Sequence, residues 1–80
     1  MDQNKNALGL EDAKLQKLRG ITNLTVALLS QADLSLLDAQ KLIAQTRSKA
    51  LELFPDKGDT FDLIYGSRFR RILAERFRLQ

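Results

Sequence analysis

From Phe61 to Gln80 the chain places apolar residues at three- and four-residue intervals with no proline, which commits it to a helix with one packed side. The row is Phe61, Ile64, Tyr65, Phe69, Ile72, Leu73 and Phe77. Between its members stand Arg68, Arg70, Arg71, Arg76 and Arg78 against Glu75 alone, so the residues after Tyr65 carry +4. The 65 residues before them hold eight basic and nine acidic groups, and the chain as a whole is +3. Phe54 is the one aromatic residue upstream of Phe61, so this last segment is expected to anchor the core.

Two more segments have the same period. Leu15, Leu18, Thr22, Thr25 and Leu29 form a row flanked by Ile21 and Leu28, with Gln16, Arg19, Gly20, Asn23 and Ser30 on the other side. A strand over Ile21 to Leu29 would suit the branched residues, but strict alternation is missing and the helix is preferred. Gly20 then faces water, where it costs about 1 kcal/mol relative to alanine. The second segment repeats Leu36, Ala39, Ile43, Thr46, Ala50 and Leu53, with Asp38, Lys41, Gln45, Ser48, Lys49 and Glu52 opposite. Ser35 is placed to cap it, with Asp38 at the third position, and Pro55 ends it by forcing Phe54 out of helical geometry.

Pro55-Asp56-Lys57-Gly58 is a turn, after which Asp59 or Thr60 is expected to cap the third helix. Gly66-Ser67 marks a candidate kink within it. The predicted fold is all-α: a compact antiparallel three-helix bundle, with helices over about 11–31, 36–53 and 60–78. Residues 1–9, polar and without periodicity, are expected to form a flexible, frayed arm, and residues 10–80 a single helical domain.

Eighty residues put the chain near the lower limit for folding on one core. Cysteine and histidine are absent, which removes disulfides, thiolate metal sites, thiol nucleophiles and the usual general base near neutral pH. Asp56, Asp59 and Asp62 lack the spacing of a calcium loop, so no metal and no cofactor are expected. Neither a nucleophile with its base nor a phosphate-cradling glycine loop is present, and a non-enzymatic role follows as the expectation. No apolar run reaches membrane-spanning length and the N-terminus does not resemble a signal peptide, which points to a cytoplasmic chain that does not enter membranes.

The candidate contacts are arginines. Arg47 falls near the centre of the second helix's apolar stripe and Arg68 near the centre of the third's. In an antiparallel hairpin turning between Lys57 and Gly58 they share one level. Either their stems cross the core edge with the heads in water, or they bracket an anion or a carboxylate from a partner chain. Arg70, Arg71 and Arg78 face outward together as a second candidate surface, for a partner or for nucleic-acid phosphates, while Arg76 turns inward. The favoured reading is a protein–protein interaction or regulatory module, which would also gain by pairing with a second copy. A small nucleic-acid-associated protein is the alternative.

Overall fold

A computed structural model describes residues 2–31 and 33–78, with side-chain environments from residue 12 onward. Three helices form an antiparallel all-α bundle. α1 is Asp2–Gln31 and α2 is Leu36–Leu53. α3 is one continuous rod made of an α-helical turn, Gly58–Phe61, a π-helical turn, Asp62–Gly66, and an α-helical stretch, Ser67–Phe77. α2 has the predicted bounds, and Ser35 caps it by accepting a 3.1 Å hydrogen bond from the Asp38 amide. Phe54, ahead of Pro55, leaves helical geometry at φ −135° and ψ 78°.

Two boundaries differ from the sequence reading. α1 begins at Asp2 rather than near Glu11, so the expected arm is helical over its described residues. Residues 2–10 lack an apolar row, but they contain no proline, and extending an existing helix needs no new nucleus. α3 begins at Gly58, with Lys57 at its cap and no side-chain capping bond; neither Asp59 nor Thr60 caps it. The Phe61 amide already donates to the Lys57 carbonyl at 2.9 Å, which starts the helix inside the turn. The outer limits of the expected arm and domain, Met1 and Leu79–Gln80, lie outside the described residues.

The core consists of Leu18, Leu29, Ala39, Ala50, Phe61, Phe69 and Leu73, with Val26, Ile43, Leu53, Phe54 and Tyr65 packed against it. Phe61, Tyr65 and Phe69 form an aromatic cluster with ring centroids 5.3 to 6.4 Å apart, the range of favourable tilted contacts. The predicted row of α1 is buried at Leu18, Thr22, Thr25 and Leu29, and Gly20 faces open space. Leu15, the first member of that row, is 41% exposed.

Polar groups inside the bundle are satisfied locally. The hydroxyls of Thr25 and Thr46 lie 2.6 Å apart across α1 and α2. Each also reaches its own helix, at the carbonyls of Ile21 and Leu42. A hydroxyl has one proton, so one threonine donates across the interface while the other donates back to its own backbone. Among the described residues no buried side-chain nitrogen or oxygen lacks a partner. α1 has no basic residue in its last turn, and Arg76 of α3 takes that place by donating to the Leu29 carbonyl at 2.7 Å. That carbonyl belongs to the four that a helix end leaves unpaired, and the cation also opposes the negative end of the helix dipole. Arg76 thus turns inward as its spacing implies.

The π turn reshapes α3. Its mark is the bond from the Ser67 amide to the Asp62 carbonyl, five residues back. On an uninterrupted 3.6-residue helix each four-residue step drifts by about 40°, so Phe61 and Phe77 would lie roughly 160° apart. The extra residue of the π turn takes up about one residue's rotation, near 100°. Phe61, Tyr65, Phe69, Leu73 and Phe77 consequently all reach the packed side. Ile64 and Arg68, which an unbroken helix would direct inward, are instead exposed.

Candidate functional site

The site residues chosen from sequence are redistributed by that turn. Arg47 and Arg68 differ in their surroundings. The Arg47 guanidinium engages a carboxylate of its own chain, with Nε donating to Asp62 Oδ1 at 2.8 Å and Nη2 to Asp62 Oδ2 at 3.1 Å. Arg68 lies on the exposed surface. Asp62, weighed from sequence against the spacing of a calcium loop, is therefore the partner of Arg47. Asp59 adds to the negative field around the same guanidinium. Arg70, Arg71 and Arg78 are exposed as expected. Arg70 Nη2 donates to Ser67 Oγ at 3.3 Å, and Arg78 ends α3 in left-handed geometry at φ 54°. Among the described residues no cluster of acidic side chains is arranged to hold a metal ion. No helix among them is long and apolar enough to cross a membrane.

The Arg47–Asp62 pair is bidentate but nearly half exposed, so water and salt screen it. The hydrogen bonds from Arg47, and then its charge, hold the Asp62 carboxyl below its ordinary value, and the same bonds raise Arg47 further above neutrality. A carboxylate depressed on folding contributes stability above its unfolded pKa and loses it as pH falls through the folded one. The urea midpoint of the wild type is thus expected to exceed that of Asp62→Asn at pH 7, and the gap is expected to narrow below about pH 4, the ordinary aspartate range. A gap of constant size between pH 7 and pH 2.5 would contradict the assignment.

Beside this pair lies a feature the spacing did not reveal, an open apolar groove of about 270 Å³. Leu15 and Leu18 form its α1 wall, Ala50 and Leu51 its α2 wall, and Phe61, Ile64 and Tyr65 its α3 wall, with Phe54 lining it just past the end of α2. Leu15 at 41% and Ile64 at 53% exposure were both assigned to the core from their spacing. They line the groove at the end of the bundle where α2 stops at Leu53 and the chain turns into α3. The π turn also leaves Leu63 74% exposed next to Ile64. The rim is cationic. Lys57 lines the groove and the Lys14 ammonium stands 5.9 Å from the centre of the Phe54 ring. The only sequence signal for this groove was a surplus of apolar residues: the rows of α1 and α3 offer more than this end of the core accommodates.

An apolar recess of this size takes one or two large side chains, somewhat less than a typical metabolite site encloses. Its lining holds no carboxylate, imidazole or thiol, so what it can do chemically is bury hydrocarbon beside positive charge. The chain matches no protein-family model, and comparison with curated proteins and with solved structures gives no match.

Proposed function

We propose that this protein is a non-enzymatic docking module that binds a protein partner through the groove between Leu15, Phe54 and Ile64. One observation supports the reading above the others: large apolar side chains stay exposed around a preformed recess instead of closing the core. Leaving a leucine and an isoleucine in water forgoes about 1.5–3 kcal/mol for each when fully buried, which a partner's side chains would recover. Apolar recesses with a charged rim are the usual form of a protein contact. The lack of histidine and cysteine, together with a lining free of carboxylates, is consistent with binding in place of catalysis.

The test is a photo-crosslinking residue, p-benzoylphenylalanine, placed at Ile64 in cells, with Leu37 as the control. Leu37 is 60% exposed but does not line the groove. The expected result is a discrete covalent protein adduct from position 64 that position 37 does not give. Equal labelling from both positions, or none from either, would overturn the reading.

A further inference from the structure

We infer that the occupant of the groove is a second copy of this chain, whose projecting α1 segment lies in it, in a twofold-symmetric pair. This rests on the docking reading and names its partner. α2 has 18 residues and a length of about 27 Å, whereas the 30 residues of α1 extend about 45 Å. The Lys14 contact with Phe54 places the end of α2 level with residue 14 of α1. The helix from Asp2 to Ala13 therefore runs about 18 Å past the end of α2, in keeping with the molecule's 51 Å long axis against 22 and 16 Å.

Three features connect that projection to the groove. The first is position. The groove opens where the projection begins, since Leu15 and Leu18 are its wall. A twofold axis crossing α1 in the projecting part sets each copy's projection beside the other copy's groove, so every contact is made twice. The second is charge. Residues 2–13 hold Asp2, Glu11 and Asp12 against Lys5, a net −2, while the groove's rim carries Lys14 and Lys57. The third is helix stability. A projecting helix containing Asn4, Asn6 and Gly9 has weak intrinsic propensity and gains from a surface to lie on. Its sequence offers Ala7, Leu8 and Leu10 as apolar residues.

The experiment is light scattering and sedimentation of the full chain between 5 and 500 µM, with charge exchange. The wild-type mass is expected to rise from 9.1 kDa toward twice that value. Lys14→Glu with Lys57→Glu is expected to weaken pairing roughly tenfold or more, and so is Glu11→Lys with Asp12→Lys, because each sets like charges against one another. Combining all four changes restores opposite signs and is expected to recover most of the affinity. A wild type monomeric at 500 µM overturns the inference, as does a dimer indifferent to the exchanges or one the fourfold variant fails to rescue. Circular dichroism of each variant separates lost pairing from lost folding. The crosslink from position 64 separates this inference from the docking reading: an adduct with a different protein leaves docking standing and overturns self-association, and no adduct overturns both.

Discussion

Phe69→Ala is expected to remove a large share of the stability of the bundle. Phe69 is 0% exposed and packs at ring-centroid distances of 6.2 Å from Phe61 and 6.4 Å from Tyr65. Removing a fully buried phenylalanine costs about 3–5 kcal/mol, from lost transfer energy plus the cavity left behind. A chain of this length has roughly 4–12 kcal/mol in total, at about 0.05–0.15 kcal/mol per residue. Alanine is the better helix former, so the loss comes from packing and not from propensity. The thermal midpoint followed by circular dichroism is expected to fall by more than about 12 °C, or the cooperative transition to vanish. Leu37→Ala, on the exposed outer side of α2, should stay within about 0.5 kcal/mol of the wild type. Similar melting of the two variants would mean that Phe69 does not occupy the centre of the core.

The second large effect contrasts two deletions in α3. Removing Leu63 takes one residue from the π turn and lets Gly58–Phe61 and Ser67–Phe77 join as a regular α-helix with their present orientations. Leu63 is 74% exposed, so little packing is lost, and the variant is expected to fold and melt within a few degrees of the wild type. Removing Arg71, exposed in the regular part of α3, instead rotates everything after it by about 100°. Leu73 and Phe77 then leave the packed side, at about 1.5–3 kcal/mol for a fully buried side chain, and Arg76 loses the Leu29 carbonyl. Straightening the π turn to compensate would carry Phe69 outward, so the molecule has no inexpensive escape. The Arg71 deletion is expected to lose cooperative unfolding altogether. Equal tolerance of both deletions would show that the π turn does not set the phase of α3.

The same turn explains which parts of the site were legible beforehand. The inward direction of Arg76 and the outward directions of Arg70, Arg71 and Arg78 follow from spacing, and they agree with an exposed trio and an arginine bonded to α1. Arg68 and Ile64 were misplaced because a wheel of constant 3.6-residue pitch cannot contain an extra residue. The partner of Arg47 was missed for a related reason. Asp62 is 15 residues away along the chain, and nothing in local spacing links a residue in the middle of α2 to the start of the π turn. The groove was illegible because it is a gap between three helices and so belongs to none of them.

Sequence by itself determined that this chain is helical, where α2 starts and stops, and which faces of α1 and α2 pack. These are local matters: a serine hydroxyl reaching an amide three residues on, a proline excluding helix before it, and apolar residues repeating at the helical period. Tertiary structure alone decided the phase of α3 beyond Phe61, the pairing of Arg47 with Asp62, the capping of α1 by Arg76 and the opening lined by Leu15 and Ile64. The reason is that each depends on how three rods meet. A one-residue change of phase within one rod, worth little locally, is chosen because it lets five apolar side chains reach the common core together.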